Sequence, residues 1–394
     1  TSRPRMGFGS DIGGRRTPWV VGGMVVLALG GLGGAVATAW MASDRTAGIA
    51  LAVLSFTLVG LGVSAGGTSL LVLLAKRVDD SRRAPAATLV WVMMIVGFAV
   101  TAGLAGRWLD PYSPERLVLV SAVVSGVAVL VTLAALAGIE GRGDAGAGAA
   151  AARPKAEPFR RALAQVWHEP EARRFTIFVF VAMLAYSTQD LILEPFAGSV
   201  FAFTPGESTQ LSGLQHGGTL AGMLLAALAG RRVAGVGFGS LRHWTVGGCI
   251  ASGAALLGLV LAGALAPHWP LRLNVFLLGA ANGAFSIAAI GSMMALAGGR
   301  GEGREGTRMG LWGAAQAIGF ALGGLFGAAL SDLARWLLGS QALGYASVFL
   351  LEAGLFMAAA ALATRIAIQP AVARPVPGAH PGTPLPSAQL GGQP

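Results

Sequence analysis

A few polar side chains inside long apolar stretches are the residues of this sequence that could do chemistry. Asp190 and Glu194 are four residues apart, so they would share one face of a helix. Such a pair could bind a proton or a cation, because charged groups inside a membrane are costly and mark candidate functional sites. A cap-and-turn role near the outer membrane edge, where Pro195 stops the helix, would explain them equally well. Both interpretations are open at this point.

Three more polar residues, Asn282, Gln316 and Glu352, lie in the middle of other apolar stretches. They could line a central path through the protein. They could also form hydrogen bonds between helices, which is the commoner role of such residues. Glu352 must face protein or a cavity, because a carboxylate is costly in lipid.

Patterns typical of enzymes are missing from the sequence. It has no phosphate-binding Gly-Lys-Ser/Thr loop, which argues against ATP hydrolysis. Cys249 is the single cysteine, and no Cys or His residues are spaced as a structural metal site requires. We therefore expect a protein that is not an enzyme and that needs neither ATP nor a structural metal.

The elements that carry these residues are membrane-spanning helices. Of the 394 residues 54% are hydrophobic and only 12% are charged, whereas ordinary soluble domains carry about 25% charged residues. Apolar runs of about 20 residues are long enough to cross a bilayer as helices. The sequence thus predicts an all-α membrane protein with ten spans, at residues 18–40, 47–74, 87–106, 117–138, 175–194, 211–229, 244–265, 271–297, 309–331 and 342–366.

The basic residues predict the orientation of the chain. With these spans, 23 of the 28 Lys and Arg residues fall on one side of the membrane. The positive-inside rule places that side, with both termini and the 140–174 loop, in the cytoplasm. The net charge of +10 therefore does not indicate nucleic-acid binding.

The sequence contains an internal repeat with offsets of 222 to 230 residues. Its matched elements are Gly7-Phe8-Gly9-Ser10 with Gly237-Phe238-Gly239-Ser240, Trp19 and Gly22-Gly23 with Trp244 and Gly247-Gly248, Gly97-Phe98-Ala99 with Gly319-Phe320-Ala321, and Asp110 with Asp332. A duplicated helix bundle is indicated. Two spans precede the repeat in its second copy, so we expect twelve spans in the intact protein, with the first two absent here. A natural ten-span protein is the alternative.

This organisation predicts four segments. Residues 1–139 would be the rest of an N-terminal bundle with four spans, and residues 140–174 a cytoplasmic loop between bundles. Residues 175–368 would form a C-terminal six-helix bundle, and residues 369–394, which are rich in Pro and Gly, a disordered cytoplasmic tail.

The motif Gly7-x-x-x-Asp11-x-x-Gly14-Arg15-Arg16 precedes an apolar span. It resembles the loop motif of the major facilitator superfamily, so a helical bundle of that type is expected. The resemblance implies that the Asp and Arg residues pair with a neighbouring helix end and latch one conformation, which is physically sensible at helix termini.

Other stretches resemble a branch of that superfamily, the PucC/LhaA family. They are Gln189-Asp190-Leu191-Ile192-Leu193-Glu194-Pro195-Phe196-Ala197-Gly198, Pro205-Gly206-Glu207-Ser208-Thr209, Gly67-Thr68-Ser69-Leu70-Leu71 and Gly310-Leu311-Trp312-Gly313-Ala314-Ala315-Gln316-Ala317. The resemblance implies assembly of light-harvesting complexes in purple photosynthetic bacteria. The ligand would be bacteriochlorophyll, and the partners antenna polypeptides, reaction-centre or pigment-synthesis proteins, and membrane lipid, without nucleic acid.

With that ligand in view, His216 becomes a candidate pigment ligand. A neutral imidazole can ligate the magnesium of a bacteriochlorin, and the two glycines that follow His216 leave room for a flat ring. Gln215 could assist, and Gln189 belongs to the same candidate set. A hydrogen bond from His216 to a neighbouring helix is the alternative. A proton-coupled secondary transporter of a small solute, which would use Asp190 and Glu352, is the competing function.

Overall fold

The computed structural model describes residues 17–78, 83–138, 167–229, 239–298 and 305–366, and these residues form ten long α-helices without a strand among them. The helices are α1 (Thr17–Trp40), α2 (Arg45–Arg77), α3 (Arg83–Leu109), α4 (Pro114–Leu136), α5 (Pro170–Phe201), α6 (Pro205–Ala229), α7 (Leu241–Leu265), α8 (Leu271–Gly298), α9 (Glu305–Leu338) and α10 (Gln341–Thr364). Every predicted span coincides with one of them, which confirms the predicted all-helical fold class. The latch residues Gly7, Asp11, Gly14, Arg15 and Arg16, most of the 140–174 loop and the 369–394 tail lie outside the described residues.

The helices also explain why this chain is a multi-pass membrane protein. Within the described ranges, nine helices are long and apolar enough to cross a bilayer. Helix α6 is not among them, because it carries polar residues such as Glu207, Gln215 and His216. It packs between α3 and α8 instead of facing lipid on all sides.

Serine residues cap the N-termini of three helices. Ser113 begins α4, where its hydroxyl accepts a hydrogen bond from the Arg116 amide at 3.1 Å. Ser240 begins α7 through a reciprocal pair of bonds with His243, and Ser340 caps α10. These serines satisfy amides that the first helical turn leaves without partners.

Helix pairing repeats along the chain. In the first half, which we define as α1 to α4, helix α1 packs against α2 and α4. In the second half, α5 to α10, helix α7 packs against α8 and α10 in the same way. The repeat thus brings corresponding helices into corresponding contacts, and α3 and α6 join the two halves.

Small residues allow the closest of these contacts. A Cβ atom added at Gly218 would run into the backbone oxygen of Phe276, so α6 and α8 approach each other backbone to backbone. The second half also has a large aromatic core. The ring of Phe196 contacts that of Phe349 at 5.1 Å, and Phe285 contacts Phe356 at 5.8 Å between ring centroids.

Candidate functional site

The two carboxylates of α5 face α6. The Ser212 hydroxyl donates to Glu194 Oε1 at 2.7 Å, and Gln215 Nε2 donates to Asp190 Oδ1 at 3.4 Å. Asp190 is exposed and Glu194 is half-buried, so both line an accessible face of the helix pair. The i, i+4 spacing in the sequence was therefore a correct guide to their shared face.

Pro195 does not end the helix, and the sequence-based prediction that it does is wrong. Helix α5 continues through Pro195 to Phe201 and ends at Ala202, which adopts a left-handed conformation with φ of 56°. Asp190 therefore lies about 16 Å from the end of its helix, at 1.5 Å per residue. A cap-and-turn role at a helix terminus does not account for Asp190 or Glu194.

His216 lies one helical turn beyond Ser212, where α6 meets α3. Its Nδ1 lies 2.8 Å from the Ser212 carbonyl oxygen, and its ring meets that of Phe98 edge-on at 5.2 Å. Since a carbonyl can only accept, Nδ1 must donate, and the neutral ring keeps a lone pair on Nε2. A Cβ at Gly217 would meet nothing within 4 Å, but one at Gly218 would collide with the Phe276 carbonyl of α8. The expectation that both glycines leave room for a flat ring is therefore wrong for Gly218. The Nδ1 hydrogen bond of His216 has the form found in metal-binding histidines, which keep the other ring nitrogen for the metal.

Gln189 and Glu352 form a second, deeper group. Both are fully buried, and neither the amide atoms of Gln189 nor the carboxyl oxygens of Glu352 have a hydrogen-bond partner among the described residues. Gln189 shares a helix face with Phe196, and Glu352 follows Phe349 by three residues. Because Phe196 contacts Phe349, both polar side chains belong to the region where α5 meets α10.

The other two predicted residues lie apart from this group. The Ser252 hydroxyl donates to Asn282 Oδ1 at 2.8 Å, which makes Asn282 part of the α7–α8 contact. Gln316 is half-buried on α9, one turn after Trp312, whose indole donates to the Ala172 carbonyl of α5 at 3.4 Å. The structure therefore brings Asp190, Glu194, Gln215 and His216 together on α5 and α6. Gln189 and Glu352 are buried apart from them, without hydrogen-bond partners among the described residues.

Sequence reasoning missed Ser212, which organises this region, and an ion pair at the opposite end of α5. Ser212 holds both Glu194 and His216, and its position four residues before His216 was a usable signal. Arg308 is 3% exposed and places Nε and Nη2 each 2.9 Å from Glu169 Oε2, which ties the start of α9 to the start of α5. These two residues are 139 positions apart, so no local pattern could have paired them.

Comparison of the sequence with known proteins identifies the family of the chain. The profile of the PUCC protein family matches residues 1–371. The chain is 48% identical to the bacteriochlorophyll synthase 44.5 kDa chain of Rhodobacter capsulatus, over 95% of this chain and 85% of that protein. It is 30% identical to protein PucC of Cereibacter sphaeroides, over 89% of this chain and 78% of that protein.

Solved structures show the same fold at low sequence identity. A POT family transporter in complex with a thioalcohol-conjugated peptide superposes with a TM-score of 0.62 at 12% identity. The alignment covers 93% of this chain and 88% of the transporter. This likeness confirms the predicted major facilitator-type helical bundle and carries no information about what is bound.

Proposed function

The chain belongs to the PUCC protein family, and from that premise we propose that it is a membrane assembly factor for light-harvesting antenna complexes. It would bind bacteriochlorophyll and deliver it to antenna polypeptides, and it would also meet reaction-centre or pigment-synthesis proteins. Its location would be the inner or photosynthetic membrane of a phototrophic bacterium. Both ends of the chain and the 140–174 loop would face the cytoplasm, as the positive-inside count favours.

The orientation of His216 is the observation that carries this proposal. Bacteriochlorophyll would supply a light-absorbing ring with a central magnesium that an imidazole nitrogen can hold. His216 fits that requirement, because the Ser212 carbonyl holds the proton on Nδ1 and leaves the Nε2 lone pair available. The open space at Gly217 leaves room for a flat ring, and Phe98 offers an aromatic edge beside it.

We propose a binding role rather than catalysis. The relative that is 48% identical bears the name of a synthase chain, but the groups gathered around His216 are suited to holding a ligand. Among the described residues, no three His, Cys, Asp or Glu side chains are placed to hold a metal ion. The exposed apolar side chains of α3 and α4, such as Leu104 and Leu130, offer lateral contacts to the single helices of antenna polypeptides.

Absorption spectroscopy of the purified full chain in detergent tests the pigment part of the proposal. We expect wild-type protein from a phototrophic host to carry bacteriochlorophyll, and His216→Phe to lower the pigment-to-protein ratio. His268→Phe is the matched control, since His268 is exposed beyond α7 and should leave the ratio unchanged. Equal pigment in His216→Phe and wild type would rule out magnesium ligation by His216.

Deletion of the gene tests the assembly part. We expect the amount of assembled antenna complex in the membrane to fall, with recovery when the gene is restored. Antenna levels that stay intact in the deletion strain would contradict an assembly role, whatever pigment the purified protein carries.

A proton-coupled secondary transporter is the second candidate, and the burial of Glu352 favours it. A fully buried carboxyl group with no hydrogen-bond partner is costly, and proton-coupled transporters use such groups. Asp190 on α5 is the other carboxyl group that the sequence offers for proton coupling. Solute uptake into vesicles that is lost in Asp190→Asn and kept in Asp332→Asn, at an exposed aspartate, would support transport.

A further inference from the structure

A long apolar trough lies on the exposed surface of the second half, between α6 and α7, with α8 as its floor. Its volume is about 960 Å³, within the range of small-molecule sites, and small residues dominate its lining. We define the trough by Gly222, Gly247, Ala251, Ala254, Gly258 and Ala280. It runs along α7 from His243 to Gly258, which is about 22 Å at 1.5 Å per residue. None of the His216 group lies in it.

The repeat has built a smaller groove at the corresponding place in the first half. That groove has a volume of about 450 Å³ and lies between α1 and α2. Trp19, Gly22 and Gly23 line it, and their counterparts 225 residues later, Trp244, Gly247 and Gly248, line the trough. The most visible element of the repeat therefore forms a groove in each half.

The two glycines of each pair have different surroundings. A Cβ at Gly23 would collide with the backbone of Gly66, and one at Gly248 would collide with Phe285, so close helix packing explains these second glycines. A Cβ at Gly22 or at Gly247 would meet nothing within 4 Å.

Packing therefore does not explain the first glycine of either pair, although glycine is unfavourable inside a helix. What Gly22 and Gly247 have in common is an exposed position beside a half-buried tryptophan. Each keeps the space next to an indole ring empty, as a site for a flat ligand requires.

One end of the trough presents a hydrogen-bond donor. His243 Nδ1 accepts from the Ser240 amide at 3.4 Å and lies 2.8 Å from the Ser240 hydroxyl. The neutral ring must then carry its proton on Nε2, which makes His243 a donor where His216 is an acceptor. The other end is closed by Asn274, whose amide is engaged with Trp269 and the Ala255 carbonyl.

We propose that the trough is a second bacteriochlorophyll site, open to lipid and separate from the His216 site. The flat ring lies beside Trp244 with a peripheral carbonyl accepting from His243 Nε2, and the isoprenoid tail follows the Gly and Ala floor towards Trp269. The inference rests on the proposed function, because it assumes that the protein binds this pigment.

The charge at the mouth favours this occupant over a phospholipid. A phosphate headgroup is bound by cations, but none of the described residues that line the trough is a lysine or an arginine. The Arg242 side chain, beside the mouth, is directed to the Thr364 carbonyl of α10. The donor that His243 presents at the mouth is its Nε2–H, which suits a ketone or ester oxygen.

The experiment titrates purified bacteriochlorophyll into the full chain in detergent, in a His216→Phe background that lacks the interior ligand. We expect pigment still to bind, and Gly247→Leu to weaken that binding roughly tenfold by filling the space beside Trp244. Gly354→Leu is the matched control, because Gly354 is also an exposed helical glycine of the second half whose Cβ would meet nothing within 4 Å. Gel filtration checks that each variant is folded and monodisperse.

A vibrational measurement gives a second readout. In the same background, His243→Phe should raise the stretching frequency of a ring carbonyl in the resonance Raman spectrum, because the carbonyl loses a hydrogen bond. Carbonyl bands that are identical with and without His243 would overturn the role given to its Nε2.

The outcomes separate this inference from the proposed function. If the wild-type chain binds no pigment, the proposed function fails and the inference fails with it. If wild type binds pigment and His216→Phe removes all of it, the function stands and the trough proposal is wrong. The trough proposal is also wrong if Gly247→Leu binds pigment as tightly as Gly354→Leu, which would mean that lipid fills the trough.

Discussion

The two grooves of the repeat share their backbone packing and differ in volume. In the first half Val26 lies one turn beyond Gly22, and Leu58 and Leu61 of α2 fill the floor. In the second half the corresponding wall residue is Ala251, and Ala280 is part of the floor. Larger side chains in the first half, and the third helix α6 that lines only the trough, together account for the difference between about 450 Å³ and about 960 Å³.

This difference shows that helix packing and the space available to a ligand depend on different residues. Glycines such as Gly23 and Gly248 fix how closely the helices approach, and the repeat has kept them in both halves. Side-chain volume at neighbouring exposed positions decides whether the space can receive a ligand, and there the halves have diverged. Variants can test the two properties one at a time.

The largest effect is expected where helix packing itself is broken. Gly218→Val places a side chain against the Phe276 carbonyl of α8 and should push apart the helices that form the floor and one wall of the trough. We expect a loss of about 3 kcal/mol in the free energy of unfolding, as for severe overpacking. Thermal unfolding of the detergent-solubilised protein measures it.

Gly217→Val is the control for that variant, since it makes the same substitution one residue earlier. A Cβ at Gly217 meets nothing within 4 Å, so this variant changes the helix propensity equally but causes no collision. If the two valine variants unfolded at the same temperature, close α6–α8 packing would not be what holds the trough open.

How much of this could be predicted from the sequence depends on the distance over which the signal acts. Apolar runs of about 20 residues predicted all ten helices, because a single run is enough to mark a span. The face shared by Asp190 and Glu194 was also predictable, since it follows from a spacing of four residues.

Features that depend on contacts between distant helices were not predictable. The Pro195 signal was misleading, because packing of α5 against α9 and α10 outweighs the local preference to end a helix there. The burial of Gln189 and Glu352 depends on how helices pack, and so does the trough itself. No local pattern in a single sequence encodes the distances between these helices.

The second prediction replaces two alanines of α7 with the larger side chains that α1 carries at the corresponding positions, one of which, Val26, lines the smaller groove. Ala251→Val with Ala254→Leu introduces the residues found 225 positions earlier, Val26 and Leu29. Both alanines are exposed, so stability should change by less than about 0.5 kcal/mol. Binding of purified bacteriochlorophyll in the His216→Phe background should weaken roughly tenfold, which corresponds to about 1.4 kcal/mol.

Its reciprocal sharpens the comparison. Val26→Ala with Leu29→Ala should leave pigment binding to the trough unchanged, because it alters only the first half. If narrowing the trough had no effect on the affinity for bacteriochlorophyll, volume would not be the property that lets the trough bind a ligand. The comparison of the two grooves would then not support a pigment site in the trough.

The smallest expected effect concerns the repeat-related pair Asp110 and Asp332. Asp110 directly follows α3, and Asp332 lies in the last two turns of α9. The Thr204 hydroxyl donates to Asp110 Oδ1 at 2.8 Å, across the junction between the two halves. Asp332 is exposed and pairs with Arg335 of its own helix.

We expect Asp110→Ala to lower the free energy of unfolding by about 1 kcal/mol, the typical contribution of such a bond. Asp332→Ala should change it by less than about 0.5 kcal/mol, because exposed ion pairs contribute little. Thermal unfolding of the two variants side by side measures the difference. Equal losses would mean that the repeat preserves the role of this aspartate and not only its position, so that the divergence between the halves would be confined to the groove walls.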